Sequence, residues 1–158
     1  MAGEIDARLA EMGVVLTAPP APAANYVPFV TAGDLVFVSG QLPMTEAGIG
    51  SLVKGRMGET MTADEGAAAA RLCAINLLAQ VKAACGGDLG KLKRVVKLTG
   101  FVNSTPDYGD QPKVVNGASD FLVEALGDIG RHSRSAVSAG ALPFGAAVEV
   151  EGIFQIET

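Results

Sequence analysis

The sequence predicts an α+β domain with the element order β-β-α-β-α-β-β, in which both helices lie on one face of a mixed sheet. Thr62-Ala-Asp-Glu65 is a capping box that opens a long apolar segment, and Gly86-Gly87 ends this segment. A second helical pattern begins after Asp110, carries Pro112 in its first turn and stops at Gly127. Strand-like apolar segments occupy residues 26–31, 35–39, 95–102, 133–139 and 146–156.

The segments outside this pattern are predicted to play smaller structural roles. Residues 4–12 form a short amphipathic helix that Gly13 stops, and the Pro/Ala-rich stretch 18–24 is extended. The segment 44–61 holds four glycines, matches no phosphate-binding fingerprint, and is expected to be irregular or mobile. A length of 158 residues indicates one domain over residues 1–158, with residues 1–24 as an N-terminal extension.

Each predicted helix has an apolar stripe that should face the core. In the second helix Asn116 lies off the stripe, so it points either at a site or at solvent. The stripe residues are Ala68, Leu72, Ile75, Leu78 and Ala79 in the first helix, and Val114, Ala118, Phe121, Leu122 and Ala125 in the second.

Composition and charge disfavour several classes of protein. A net charge of −5 gives no electrostatic support for a nucleic-acid partner. No apolar run approaches the ~18 residues of a membrane span, and the first residues lack the apolar region of a signal peptide. Cys73 and Cys85, twelve residues apart on one predicted helix, are about 18 Å apart and too distant for a disulfide. We therefore expect a cytoplasmic protein with reduced thiols.

Metal-ligating residues are scarce in this sequence. It has one histidine, His132, and its two cysteines fall on one predicted helix. Soft donors therefore give no ligand set of the kind that holds zinc. We expect neither a metal nor another cofactor.

Three charged residues near the C-terminus are candidates for chemistry. Arg134 falls in one predicted strand, and Glu149 and Glu151 fall in the next, after a turn that contains Pro143. The two glutamates are two residues apart, so their side chains leave the same face of a strand. A guanidinium suits a small carboxylate, and a nearby glutamate can position water or move a proton. The alternative is a solvated outer strand face with charges of both signs.

Two sequence segments together resemble a known family. The strand 36–39 runs into Ser-Gly-Gln-Leu-Pro, and the C-terminal part contains Arg-Ser-x-Val, Leu-Pro and Val-Glu-Val-Glu. With Asn25-Tyr26-Val27 and Val115-Asn116, their order and spacing resemble the RidA/YjgF family of reactive-intermediate deaminases over roughly residues 25–156. Within it the chain is most similar to a longer branch often labelled endoribonuclease L-PSP.

The resemblance implies a fold, an assembly and a reaction. The fold is chorismate-mutase-like, and three chains form a homotrimer whose sheets enclose a central barrel, with clefts between subunits. The reaction is the hydrolysis of 2-iminopropanoate or 2-iminobutanoate to the 2-keto acid and ammonia, without a cofactor. Arg134 would clamp the substrate carboxylate and Glu149 would orient the attacking water. The substrate pocket would be lined by Tyr26, Ser39, Gly40 and Asn116.

Other interpretations remain open on the sequence. Many members of the family have a cysteine two residues after the arginine, where this chain has Ala136. That difference, with the Gly-rich segment, favours a non-catalytic protein that binds a small carboxylate metabolite. An endoribonuclease is disfavoured by the acidic charge and the single histidine. His132 itself is either a general base or a structural residue at the start of a strand, and Ser39 lacks a local base that would make it a nucleophile.

Overall fold

The computed structural model describes residues 2–19, 21 and 24–158. Of the predicted extended stretch 18–24, residues 20, 22 and 23 lie outside the described residues, and residues 18, 19, 21 and 24 are in neither helix nor strand. The helices and strands are α1 Ala2–Glu11, β1 Phe29–Ala32, β2 Leu35–Gln41, α2 Ala63–Ala84, β3 Leu92–Asn103, α3 Gln111–Leu126, β4 Ser133–Ala139 and β5 Val148–Ile156.

The five strands form one mixed sheet in the order β1-β2-β5-β3-β4. Neighbouring strands are antiparallel except β3 and β4, which run parallel with α3 as their crossover. The predicted α+β class and element order are confirmed. The last two strands follow each other in sequence, but β3 lies between them in the sheet.

The predicted boundaries hold to within a few residues. β1 starts at Phe29 rather than Tyr26, because Pro28 has no N–H to donate to a strand neighbour. β5 starts at Val148, because the N–H of Ala147 donates to the carbonyl of Val53 (3.0 Å). β3 extends the prediction by three residues at its start and one at its end.

The core lies between one face of the sheet and the two long helices. The α3 residues predicted to face it are all buried. The helices approach closely at Gly117, where a Cβ would overlap the carbonyl oxygen of Ala67. On α1, Ile5 and Leu9 are buried against the same core. The sheet thus has one covered face and one open face.

The stripe predicted for α2 is partly wrong, because Ala68 is exposed and Leu72 and Ile75 are only partly buried. The buried face runs instead through residues such as Ala69, Cys73 and Leu77. Alanines of α2 occur on every side of the helix, so the pattern of apolar residues does not identify a single buried face.

Among the described helices, α2 alone is long and apolar enough to cross a membrane. This differs from the expectation that no apolar run approaches the length of a membrane span. Half of that stretch is buried within the chain itself, where α2 packs on α3 and on the sheet. The folded core therefore accounts for the apolar character of this helix.

The Gly-rich segment 44–61 has a short 3₁₀ turn at Gly48–Ser51 and a few isolated β-bridges, and it is attached to the core. The Asn76 amide donates to the carbonyls of Leu42 and Met44, both at 2.9 Å. The buried Met57 donates its N–H to the carbonyl of Asn103 (2.8 Å). The segment is irregular, as predicted, and hydrogen bonds hold it at both ends.

Candidate functional site

Arg134 lies on β4, an edge strand, and its side chain runs along α3. It pairs with the buried Leu98 of β3, which places it on the helix-covered side of the sheet. Its guanidinium donates to the hydroxyl of Ser119 (3.1 Å) and to the carbonyl of Pro112 (3.2 Å). A guanidinium has five N–H donors, so several stay available for a ligand.

The hydrogen bonds of Arg134 continue through Ser119 to His132. Ser119 Oγ lies 2.9 Å from His132 Nε2, and His132 Nδ1 lies 2.6 Å from the carbonyl oxygen of Gly130. A carbonyl only accepts, so Nδ1 carries the proton and Nε2 accepts from the serine hydroxyl. Both ring nitrogens are occupied, which supports the structural role of His132 and leaves neither nitrogen available to act as a base.

Burial is the main cause that lowers the pKa of His132, and the charge of Arg134 lowers it further, against the opposing effect of the bond to Gly130. The unfolded chain then binds a proton below about pH 6.5, where the folded chain does not. The free energy of unfolding should fall as the pH falls from about 6.5 through this lowered pKa. His132→Asn should weaken that fall, which thermal denaturation between pH 5 and 8 measures. Equal slopes in the variant and the wild-type protein would contradict the assignment.

Asn116 is exposed on α3, between the two partners of Arg134. It follows Pro112 by four residues and precedes Ser119 by three, so the three share one side of the helix. Ala136, two residues after Arg134, is on the same side of β4 and is partly buried against the core. This half of the predicted site is therefore a guanidinium and an amide beside a small apolar residue.

Glu149 lies on the other face of the sheet. It pairs with Phe101 of β3, and Glu151 pairs with Thr99. The neighbours Val148 and Val150 are buried on the helix side, so the two glutamates project from the open face. Burial raises the pKa of Glu149, and the charge of Glu151 raises it further. A carboxylate with a raised pKa is suited to accept and return a proton near neutral pH.

Ser39 and Gly40 lie beside this carboxylate, where the pairing of β2 with β5 is irregular between Val38 and Gln41. A Cβ at Gly40 would overlap Glu149 Oε2, so glycine lets the carboxylate approach the backbone. The Ser39 hydroxyl donates to the carbonyl of Val27 (2.9 Å). This bond fixes the orientation of the hydroxyl and does not make it a nucleophile. The same bond holds the segment that carries Tyr26, whose side chain is 56% exposed.

The predicted site residues thus form two groups on opposite faces of the sheet. Arg134 and Asn116 lie on the helix side at the edge strand, whereas Tyr26, Ser39, Gly40 and Glu149 are grouped around the end of β2. Arg134 is therefore not a partner of Glu149 or Glu151 within one chain. Within one chain, the two groups therefore face away from each other.

The open face of the sheet carries apolar side chains in its middle. Val30, Phe37 and Val137 are 53%, 43% and 43% exposed, and Phe101 and Ile153 between them are partly buried. Charged groups such as Glu149 and Glu151 are on the same face, but they do not cover this apolar centre. Such a contiguous apolar area is typical of a surface that another protein chain covers.

A cavity of about 550 Å³ opens beside Ser39 and Gly40. Its walls come from residues 17–19 and 21 of the N-terminal extension, from the end of β2, from residues 44–46, 48 and 49, and from α2. Sequence reasoning did not identify this cavity or the role of Ser119. The spacing of Ser119 three residues after Asn116 is a signal that could have identified the serine.

Among the described residues, no group of three or more His, Cys, Asp or Glu side chains is placed to hold a metal ion. Cys73 and Cys85 are both buried free thiols, and Cys85 lies just after the end of α2. Burial raises the pKa of both thiols. Both cysteines are therefore core residues.

Comparisons with known proteins place the chain among a set of similar sequences and structures. The model of a family described as "YjgF/chorismate_mutase-like, putative endoribonuclease" matches residues 6–154. The chain is 46% identical over 155 residues to protein TCP17 of Trypanosoma cruzi, covering 98% of this chain and 95% of that protein. A solved protein of unknown function from Agrobacterium tumefaciens superposes with a TM-score of 0.90 at 47% identity, covering 99% and 94% of the two chains. RidA from an Antarctic Psychrobacter gives a TM-score of 0.59 at 26% identity, covering 88% and 94%.

Proposed function

Because this chain belongs to the YjgF/chorismate-mutase-like family, which includes RidA, we propose that it hydrolyses 2-imino acids to 2-keto acids and ammonia. The observation that carries the proposal is that two charged groups are each positioned to bind a different part of the reaction. Arg134 is held by Ser119 and Pro112 and keeps N–H donors that neither of them uses, and Glu149 is a partly buried carboxylate beside Gly40. One group suits the substrate carboxylate and the other suits a water molecule.

The reaction needs two things from the protein, which are positioning and proton transfer. Arg134 binds the carboxylate of the imino acid through its planar fork of N–H groups. Glu149 accepts a proton from water as the water oxygen bonds to the imine carbon, and this proton passes to the nitrogen to give a carbinolamine. Glu149 then moves the hydroxyl proton to the nitrogen, the carbonyl forms as the carbon–nitrogen bond breaks, and ammonia and the 2-keto acid leave. Imines hydrolyse spontaneously, so holding the substrate and water in position and transferring protons through Glu149 are sufficient for catalysis.

The proposal includes a homotrimer with clefts between subunits. Two observations support it: the halves of the site lie on opposite faces of one chain, and the centre of the open face is apolar. An edge strand that carries Arg134 can bring it to the open face of a neighbouring copy.

At micromolar concentration, sedimentation equilibrium should give a mass three times that of the chain. Phe37→Asp puts a charge in the middle of the open face, and it should dissociate the assembly and remove activity together. Val15→Asp is the matched control, because this apolar side chain is 78% exposed after α1, outside the sheet and the cavity beside Ser39, and should leave both mass and activity unchanged. A stable monomer with full activity would contradict both the assembly and the shared site.

The direct test of function follows imine hydrolysis itself. An amino-acid oxidase generates the 2-imino acid in situ, and semicarbazide traps whatever the protein has not hydrolysed. The protein should lower the trapped fraction after exhaustive dialysis against a chelator, because the proposed chemistry uses no metal. A trapped fraction equal to that without protein would refute the proposal.

A second candidate is a non-catalytic sensor of small carboxylates, which Ala136 favours. In such a sensor Arg134 would bind the carboxylate in the same way, and Glu149 would transfer no proton. Binding of a 2-keto acid with no hydrolysis of any imine would select it. An endoribonuclease is disfavoured by the net charge of −5 and by the engagement of the single histidine in hydrogen bonds.

A further inference from the structure

Arg134 lies at the end of a series of hydrogen bonds in which the direction of every bond is fixed. The series starts at the carbonyl of Gly130, which only accepts, so His132 Nδ1 donates to it (2.6 Å). His132 Nε2 then has a free lone pair and accepts the hydroxyl proton of Ser119 (2.9 Å). The Ser119 oxygen is left to accept the N–H of Arg134 (3.1 Å). A backbone carbonyl therefore sets the direction of a bond that the guanidinium makes.

This series of bonds requires a neutral histidine. A protonated His132 would donate from both ring nitrogens and could not accept from Ser119. Burial lowers the pKa of His132, and the charge of Arg134 lowers it further, against the opposing effect of the bond to Gly130. The neutral ring is therefore the form present at neutral pH, and it is the form that the bonds need.

Helix α3 holds the guanidinium at both of its terminal nitrogens. Ser119 accepts from one of them, and the carbonyl of Pro112, about two turns earlier, accepts from the other (3.2 Å). The carbonyl is fixed by the helix backbone, whereas a serine hydroxyl rotates unless a partner fixes it. His132 is that partner. With both nitrogens held, the plane of the guanidinium is fixed, and each terminal nitrogen and Nε still has an N–H for a ligand.

We propose that Ser119 and His132 are positioning residues for the proposed reaction, because together they fix the Arg134 guanidinium in the orientation that binds the substrate carboxylate. Neither residue touches the substrate. A guanidinium that is fixed before binding loses less conformational entropy when the carboxylate arrives. The inference rests on the proposed function, since it explains how the proposed clamp is oriented.

The first experiment removes the serine hydroxyl. Ser119→Ala should raise KM for the 2-imino acid about 2- to 10-fold, the range of one hydrogen bond, and leave kcat nearly unchanged because the clamp acts on binding. Ser119→Thr keeps a hydroxyl and should restore KM. An unchanged KM, a lower melting temperature as the only effect, or a rise in KM that threonine does not reverse would overturn the role of Ser119.

Ser133→Ala is the matched control for this experiment. Ser133 lies between His132 and Arg134 in sequence, but its hydroxyl donates to the carbonyl of Val96 (3.1 Å) and is outside the series of bonds. The substitution removes one serine hydrogen bond from the start of β4, so it should leave KM and kcat unchanged. An equal rise in KM in Ser133→Ala and Ser119→Ala would refute the positioning role.

Two substitutions of His132 separate the functions of its two nitrogens. Asparagine can donate to the carbonyl of Gly130 as Nδ1 does, but it is too short to replace Nε2 as the acceptor for Ser119. Glutamine can place its amide oxygen near the position of Nε2. His132→Asn should therefore raise KM as Ser119→Ala does, and His132→Gln should raise it less. Equal values in the two folded variants would overturn the role of His132.

The double variant tests whether His132 acts through Ser119. If it does, adding His132→Asn to Ser119→Ala should raise KM no further, because the bond that His132 controls is already absent. A histidine with a purely structural role would change KM by the same factor in both backgrounds. Such additivity would refute the proposed series of bonds.

Calorimetric binding of pyruvate, a 2-keto acid product, tests the positioning without the reaction. Ser119→Ala and His132→Asn should each weaken pyruvate binding about 2- to 10-fold, and Arg134→Ala should weaken it more. If this holds while no imine is hydrolysed, the positioning role stands and the deaminase function is wrong. If both variants bind pyruvate as the wild-type protein does while imines are hydrolysed, the positioning role is wrong and the deaminase function stands.

Discussion

Arg134→Lys should lose most of the imine hydrolysis although it keeps the positive charge, and Arg134→Ala should lose essentially all of it. Lysine has no planar fork, so it cannot hold a carboxylate through two parallel bonds while also contacting Ser119 and Pro112. One hydrogen bond to a charged group contributes about 1.5–3 kcal/mol, or roughly 10- to 150-fold in kcat/KM when it is felt in the transition state. Steady-state kinetics on the two variants measures this loss.

Arg131→Lys is the matched control, at a residue that lies three positions before Arg134, just ahead of β4. Its guanidinium is exposed and lies 3.7 Å from the Asp128 carboxylate, so the exchange should change neither activity nor melting temperature. Arg134 has no carboxylate partner among the described residues, so its replacement should leave the fold intact. Full activity in Arg134→Lys, or unfolding with retained activity, would rule out the clamp.

Glu149→Gln should lower kcat by about 10²- to 10⁴-fold, the range in which a positioned general base contributes. The variant should not be less stable at neutral pH. A folded-state pKa that is raised above the unfolded value means that stability is lost as the pH rises through it, and glutamine removes that loss. Lost activity with equal or higher melting temperature is therefore the expected pair of results.

Glu151→Gln is the control for the Glu149 prediction and also gives a signature in the pH profile. Activity needs ionised Glu149, so the rate should fall as the pH falls through its raised pKa. The charge of Glu151 helps to raise that pKa, so Glu151→Gln should move the acid limb to lower pH and keep the maximal rate. An acid limb that stays in place in this variant would show that a different group controls it.

The sequence predicts the fold well where local signals and periodicity agree. The capping box at Thr62 is present, with both reciprocal bonds between Thr62 and Glu65. Asp110 and Gly127 flank α3 as predicted, although Asp110 makes no side-chain cap. The buried face of α2 could not be predicted, because a helix rich in alanine on every side has no contrast between its faces.

The candidate site was predictable in its residues and only partly in its geometry. The spacing of the arginine and the glutamates identifies them as candidates. Because they fall in consecutive strands, the sequence also suggests that these strands are adjacent in the sheet, but β3 lies between β4 and β5. Which face of a sheet a residue occupies depends on register with a partner strand, and that is a long-range property. The contact of Ser119 with His132 likewise depends on tertiary packing.

The placement of Arg134 and Glu149 on opposite faces has a consequence for mixed populations of chains. In the proposed trimer each copy supplies the arginine to one cleft and the glutamate to another. A copy damaged at one of these residues inactivates one cleft, and a copy damaged at both inactivates two of the three. A doubly substituted allele expressed beside an intact one would therefore act dominantly, because each defective chain also removes the activity of intact neighbours.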